Sequence, residues 1–288
     1  MVGFFERKAV KNKDFNQNFL PSTRRELFKK IFLTRFGKLF QINILCFAFF
    51  LPLICWDLLT NIYKSSIVNL NELVQFTLNI KSPLIVLFGM LGFIGLSGSI
   101  YYVRKLAWSE PVSLFKTFCL GIKQSYKQFL FFGFFTSLFI CLFDLAITMM
   151  NNTDLSDSYY MIFIAILLVA GILVLSIISY ALTLSSLYEI KTFEIIKTSV
   201  VLSLRKIFKN VLMIVLTYFI CLIWLLSGII YLYFIGVVLL ATIGLSYQIL
   251  VWVLYTNSSY DLYINLKQYP NIYRKGLRPI NKEGVNGA

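Results

Sequence analysis

The sequence predicts an all-α fold: an integral membrane six-helix bundle of three helical hairpins, each preceded by a cytoplasmic amphipathic helix. Three observations predict it. Of the 288 residues, 58% are hydrophobic and only 14% are charged, against about 25% charged in an ordinary soluble domain. Apolar runs of spanning length recur along the chain, and the basic residues gather at alternate ends of those runs.

Five apolar runs reach the length of about 17 to 25 residues that crosses a bilayer as a helix. They cover residues 39–59, 83–103, 129–150, 160–182 and 211–254. We interpret the last run, 44 residues long, as two spans with a turn between Gly228 and Gly236. The chain then divides into a basic N-terminal segment with an amphipathic helix (1–38), a six-span membrane domain (39–255) and a C-terminal tail (256–288).

The net charge of +14 has a one-sided distribution. Of the 27 Lys and Arg residues, 25 lie in the N-terminal segment or after the second, fourth and sixth spans, and only Lys64 and Lys81 lie on the other side. The positive-inside rule makes the basic side the cytoplasm, so both termini are predicted to be cytoplasmic in a multi-pass protein of the cell membrane. Such clusters attract anionic lipid headgroups, which we expect as partners, and not nucleic acid.

A basic segment with helical periodicity precedes each odd-numbered span. In the first, Thr23 and Glu26 have the spacing of a capping box, which predicts a helix from about Arg24 that ends before the first span or continues into it. The second begins at 109–111 and the third near Glu189. These segments either lie in the membrane interface or dock on a partner. The three units are either an internal repeat or a coincidence in an aromatic-rich chain.

The third of these segments has one apolar helical face, opposite most of its basic residues. That face consists of Phe193, Ile196, Val200, Leu204 and Ile207.

Because the N-terminal charged tail is too long for a cleavable signal sequence, we also expect the first span to stay in the protein as an anchor.

Aromatic residues near the ends of the spans predict interfacial belts on both sides of the membrane. The outer set is Trp56, Tyr159, Tyr160, Tyr231 and Tyr233, and the inner set is Tyr101, Tyr102, Trp108, Tyr180, Trp252 and Tyr255. On the outer side, the spacing of Leu70, Leu73, Val74 and Leu78 predicts a short surface helix that packs over the hairpins, covers a pocket or meets a partner.

The second span carries glycine at Gly89, Gly92, Gly95 and Gly98. Each glycine would cost a soluble helix about 1 kcal/mol relative to alanine, whereas in a bilayer the backbone stays helical because its peptide groups cannot be left unpaired. Gly95 and Ser99 form a small-xxx-small pair, which predicts close packing with neighbouring helices. The alternative is a broken helix that exposes backbone groups to a solute.

Few polar side chains fall inside the predicted spans. Asp144 is the one carboxylate well inside a span, in its outer third, and Asp57 lies at the outer end of the first span. Ionisable groups at membrane depth are candidate functional residues, so the two aspartates either flank one outward-facing cleft or each reach water among the headgroups. Asn43 and Gln248 are predicted to bond to neighbouring helices.

The sequence has no histidine, the commonest general base and metal ligand. It also lacks a phosphate-binding loop, a nucleophile elbow and zinc-ligand spacing. Its five cysteines are scattered, as expected of small buried or lipid-facing side chains. We therefore predict that the protein is not an enzyme and has no catalytic residues, no metal site and no cofactor.

The segments "FGKLFQINILCFAFFLPLI", "YYVRKLAWSE" and "LFKTFCLGIKQSYKQFL" resemble the YesL-like family of bacterial membrane proteins, as does the tail "YDLYINLKQYPNIYRKGLRP". Ile54 departs from the family pattern, which often has a threonine after the proline. The residues that match are Lys38, Asn43, Leu51, Pro52, Arg104, Lys105, Glu110, Phe118, Lys123 and Gln128.

The resemblance implies a family without established catalytic activity, found in Gram-positive bacteria beside carbohydrate ABC importers. The first hypothesis is therefore a noncatalytic accessory or assembly partner of such an importer, in contact with its permease subunits. The second is a small-solute carrier or channel that uses an outward-facing cleft near Asp57 and Asp144.

Overall fold

The computed structural model describes residues 20–153, 156–226 and 230–278, with no side chains described at 157 and 219–231. The described residues form eleven α-helices and three π-helical turns, without a strand among them. The helices are α1 (Arg24–Thr34), α2 (Phe36–Lys64), α3 (Leu70–Phe76), α4 (Ser82–Ala107), α5 (Leu114–Asn151), α6 (Asp157–Leu187), α7 (Thr192–Arg205), α8 (Ile207–Leu226), α9 (Ile230–Leu239), α10 (Leu245–Tyr260) and α11 (Leu266–Gln268). The π-helical turns are Thr77–Lys81, Leu240–Gly244 and Asp261–Asn265.

Five helical segments among the described residues are long and apolar enough to cross a membrane. They are Phe36–Lys64, Leu70–Ala107, Leu114–Asn151, Ser158–Leu187 and Leu232–Gln268. The all-α membrane class is thereby confirmed. The fifth expected span falls on α8, whose described apolar part is Ile207–Tyr218. Gly228 of the turn expected next lies outside the described residues, while Gly236 lies within α9.

The amphipathic segments differ from one another in how they join the spans. The capping box is confirmed, because the Thr23 hydroxyl accepts from the backbone N–H of Glu26 and α1 begins at Arg24. Helix α1 ends before the first span, at a break at Arg35 (φ −124°, ψ 23°). A break of nearly the same conformation, at Lys206 (φ −124°, ψ 31°), separates α7 from α8, as a repeated unit would produce.

The second amphipathic segment, in contrast, is continuous with the third span as the 38-residue helix α5. A 38-residue α-helix is about 57 Å long, much longer than the hydrocarbon thickness of about 30 Å. Helix α5 is therefore too long to lie wholly within the hydrocarbon, and the expectation of a separate amphipathic helix before the third span is wrong. The short outer helix is likewise joined to α4, through the π-helical turn Thr77–Lys81.

Helix α4 lies at the centre of the bundle, in contact with α2, α5, α6 and α10. Its four glycines are all buried. A Cβ atom added at Gly92, Gly95 or Gly98 would lie 2.5–2.6 Å from a phenylalanine side chain of α2 or α5, so a side chain at any of these positions would force its neighbour to shift. The glycines lie at contacts with neighbouring helices, as the packing interpretation of the second span predicts.

Two labels distinguish the ends of the bundle: the inner end contains α1 and Trp108, and the outer end contains Lys64 and Asp144. Most of the inner aromatic residues are buried within the protein, whereas the sequence predicted them to lie in the membrane interface. Tyr102 and Tyr180 are at most 1% exposed, and Tyr101 and Trp252 are also buried. The interfacial-belt prediction is therefore wrong for these four residues, because they pack in the inner half of the bundle core.

Candidate functional site

The two membrane aspartates meet at the outer end of the bundle, joined by the two lysines of that side. The Lys81 Nζ atom lies 3.0 Å from Asp144 Oδ2 and 3.5 Å from Asp57 Oδ1. The Lys64 Nζ atom also lies 3.0 Å from Asp144 Oδ2. With Asn61, which accepts from Lys81 at 2.9 Å, these side chains form what we call the outer charge cluster.

Three elements position the outer charge cluster. Asp57, Asn61 and Lys64 are spaced i, i+4 and i+7 on α2, so they share one face. Lys81 is the last residue of the π-helical turn before α4, and its carbonyl accepts from the Trp56 indole N–H at 3.2 Å. Asp144 lies on α5, where the next turn adds the Thr148 hydroxyl, which accepts from Lys64 at 3.1 Å. The cluster therefore ties three helices together.

The charges of the outer charge cluster balance, since it contains two lysines and two aspartates. Lys81 is the most deeply placed, with a side chain only 3% exposed, while Asp57 and Asp144 are 25% and 33% exposed. Each carboxylate has a lysine within 3.5 Å. A buried charge is tolerated when it is paired and hydrogen-bonded, and this network meets both conditions without an external ion.

A shallow cavity of about 240 Å³ lies at the same end, between α2, α3 and the π-helical turn. It is lined by Trp56, Leu59, Thr60, Tyr63, Phe76 and Ile80. The lining is mostly apolar and includes neither aspartate of the outer charge cluster. The aspartates therefore meet each other beside this cavity and do not face into it.

Asn43, in the inner half of α2, binds a neighbouring helix as predicted. Its Nδ2 donates to the carbonyls of Leu240 (2.8 Å) and Ala241 (2.6 Å), and its Oδ1 accepts from the Ser246 backbone N–H at 2.8 Å. These backbone groups lie in and just after the π-helical turn Leu240–Gly244, where the regular helical bonding pattern changes. Asn43 thus stabilises this turn. Gln248 is buried on α10.

The residues on which the family resemblance rests lie in different parts of the structure. Pro52 lies inside α2 without ending it, and Lys123 is exposed on α5. At the inner end, Glu110 pairs with Lys275 at 2.7 Å and with Lys105 at 3.8 Å. The structure therefore brings Lys105 and Glu110 together and leaves Pro52 and Lys123 apart from them.

The C-terminal tail closes over the inner end, an arrangement that the sequence did not indicate. Arg24 of α1 pairs with Asp261 at 2.7 Å and donates to the Lys275 carbonyl at 3.1 Å. Asp261 also accepts from the Asn265 amide and from the Arg274 backbone N–H. The two ends of the described chain are thus held together by one buried carboxylate.

Hydroxyl groups link α6, α8 and α10 next to this tail. The Tyr260 hydroxyl donates to the Tyr180 carbonyl at 2.9 Å and lies 2.7 Å from the Thr183 hydroxyl. Tyr255 and Tyr180 both donate to Asn210 Oδ1. Sequence spacing could have indicated only that Tyr255 and Ser259 share a face of α10.

At the helix break between α7 and α8, Lys206 donates to the Ser259 hydroxyl at 3.0 Å. Burial lowers the pKa of Lys206, and the nearby charge of Lys209 lowers it further. In the described part of the chain, no group of three or more His, Cys, Asp or Glu side chains is placed to hold a metal ion.

Comparisons with family models, with curated proteins and with solved structures find no match for this chain.

Proposed function

We propose that the protein is a noncatalytic multi-pass protein of the cell membrane that acts as an accessory or assembly partner of a carbohydrate ABC import system. The proposal includes six spans in three hairpins, with both termini in the cytoplasm as the basic residues predict. Its carbohydrate-import part rests on the resemblance to the YesL-like family.

The proposal is supported by the polar groups inside the bundle, which bind one another or the backbone. The four charges of the outer charge cluster pair with one another, and Asn43 binds backbone groups. The glycines of α4 are covered by side chains of α2 and α5. Since these groups stabilise the fold, the part of the molecule left to act on others is its exposed surface.

Helix α7 offers such a surface near the inner end. It packs on the bundle through the face that carries Ile195 and Leu202, which are at most 3% exposed. The apolar face predicted from the sequence points elsewhere: Phe193 is 78% and Leu204 57% exposed. Just beyond the break, Phe208 is 88% exposed. Exposed apolar patches of this kind mark sites of contact with a protein or a membrane, and we assign this one to the permease subunits.

Photo-crosslinking in native membranes tests the assignment. A photo-reactive phenylalanine analogue replaces Phe193 or Phe208, and the same analogue at Phe163, exposed on α6, is the matched control. We expect crosslinks to permease chains from positions 193 and 208 and none from position 163. Crosslinks to lipid alone from all three positions would contradict the proposal.

A carrier or channel is the second candidate, because the structure places Asp57 and Asp144 in one cluster at the outer end. A solute path would have to open this cluster. Proteoliposomes containing only this protein would then transport the solute, and Asp144→Asn would abolish transport. Glu72→Gln, the same change at an exposed residue of α3, is the control. If the unaltered protein shows no flux of the sugars that the proposed partner importer takes up, the sugar-carrier hypothesis is wrong.

A further inference from the structure

We propose that Arg104, Lys105 and Lys275 form a binding site for the phosphate group of an anionic phospholipid at the inner end of the bundle. The site lies where α4 ends and the C-terminal tail crosses it. It is a different surface from the exposed face of α7, and the proposal does not depend on the partner assigned above.

Arg104 carries a buried charge that makes no direct ion pair; the Glu110 carboxylate acts on it only at a distance. The residue is 9% exposed, and none of the ion pairs among the described residues includes it. Its Nε–H is buried without a hydrogen-bond acceptor. A buried polar group without a hydrogen-bond partner calls for an explanation, and a bound ion is one of those expected. A guanidinium group matches a phosphate in shape and charge, because it can donate two parallel hydrogen bonds.

Aromatic rings hold the guanidinium in place. Its Cζ atom lies 4.6 Å from the ring centroid of Tyr101 and 5.0 Å from that of Trp108. Lys275 Nζ lies 4.2 Å from the same Trp108 ring, and Lys105 Nζ lies 5.1 Å from Tyr101. The three cations therefore surround two adjacent rings, and such cation–π contacts restrict where the charges can move.

The proposed site keeps a net positive charge after its lysines have paired with Glu110. Glu110 is the carboxylate that pairs with Lys105 and Lys275, so three cations share one anion and an excess of two positive charges remains. In the outer charge cluster, by contrast, two lysines face two aspartates. The inner group lacks the negative charge that would balance it, and one phosphate diester would supply part of it.

The backbone at the end of α4 places the site at the surface of the membrane. The end of α4 has a Schellman motif, in which the N–H groups of Ser109 and Glu110 donate to the carbonyls of Leu106 and Lys105, and Ser109 adopts a φ of +58°. Gly276 (φ +86°) brings the tail against the Ala107 carbonyl. Since α4 belongs to a helical segment that is long and apolar enough to cross a membrane, we place its end at headgroup depth, which favours a lipid phosphate over a free one.

Native mass spectrometry of the delipidated full chain in detergent tests the site with phosphatidylglycerol, phosphatidylcholine or inorganic phosphate as the added ligand. We expect Arg104→Gln to lower the affinity for phosphatidylglycerol about tenfold. Lys123→Gln, which removes the same charge from an exposed residue of α5, should change it less than about twofold. Helical content and elution volume establish that each variant is folded.

If Arg104→Gln does not fold, Lys275→Gln takes its place, with an expected loss of about threefold. An equal loss in the Lys123 variant would mean general attraction to basic residues and would overturn the site, as would unchanged affinity in the Arg104 and Lys275 variants. Equally tight binding of phosphatidylcholine would overturn the anionic preference. Inorganic phosphate that displaces the lipid at millimolar concentration would overturn the assignment to lipid.

Discussion

Removal of Lys81 should destabilise the protein more than removal of any exposed lysine. The Lys81 side chain is 3% exposed and contacts Asp144 at 3.0 Å, Asn61 at 2.9 Å and Asp57 at 3.5 Å. Lys81→Met keeps most of the side-chain volume but leaves the outer charge cluster with one lysine and two aspartates. The lost contacts and the uncompensated negative charge both act against the folded state.

The size of the effect follows from burial. Loss of one partner of a fully buried ion pair costs about 3–5 kcal/mol. The cost here is smaller, because Asp57 and Asp144 are 25% and 33% exposed and Asp144 keeps Lys64 as a partner; we expect about 2–3 kcal/mol. The double variant Lys81→Met/Asp57→Asn restores a neutral cluster and should recover about half of that loss.

Reversible unfolding by SDS in mixed micelles measures these differences in the free energy of unfolding. Lys123→Met, at an exposed residue of α5, is the control and should change stability by less than about 0.5 kcal/mol. If Lys81→Met costs no more than the control, or if Asp57→Asn adds to the loss instead of reducing it, the outer charge cluster does not stabilise the fold.

Three other predictions follow from buried contacts. Asn43→Ala should cost about 2 kcal/mol in the same unfolding assay, and Asn43→Asp should cost more, because a carboxylate oxygen would face two carbonyls; equal effects would contradict this geometry. Gly95→Ala should cost about 1–3 kcal/mol through overpacking, whereas Gly171→Ala, with no atom nearer than 3.9 Å, should be neutral or stabilising. Hydrogen bonds from the Ser22 N–H and hydroxyl lower the pKa of Glu26 below its ordinary 4.5; this stabilisation of the α1 start is present above 4.5 and is lost as pH falls through the lowered pKa. Hydrogen exchange should show that the first turn of α1 loses protection as the pH falls in the unaltered protein. The Glu26→Gln variant should show no such change with pH.

Properties that depend on one segment at a time were predictable from the sequence. Apolar length identified the five helical segments that are long and apolar enough to cross a membrane, and the capping box located the start of α1 at Arg24. The close spacing of small residues predicted that the glycines of α4 lie at helix contacts. Such features are decided by local backbone and side-chain chemistry, so no knowledge of the neighbouring helices is needed.

Properties that depend on which helices are neighbours were not predictable. The meeting of Asp57 with Asp144 requires α2, α4 and α5 to be adjacent, and the sequence indicated Lys81 only as an outer charge. Helices that are apolar all round do not reveal which face meets lipid, so Tyr180 and Trp252 were expected at the interface although both are buried. The break at Arg35 involves neither glycine nor proline at that position, and periodicity alone did not locate it.

Copurification from native membranes tests whether the protein is a partner of an ABC importer. The tagged protein is expressed at its natural level, extracted in a mild detergent or into nanodiscs, and analysed by mass spectrometry with its bound chains. We expect recovery of the permease subunits of a carbohydrate ABC importer in a fixed stoichiometric ratio. Recovery of this protein alone, as a monomer or homo-oligomer, would contradict it.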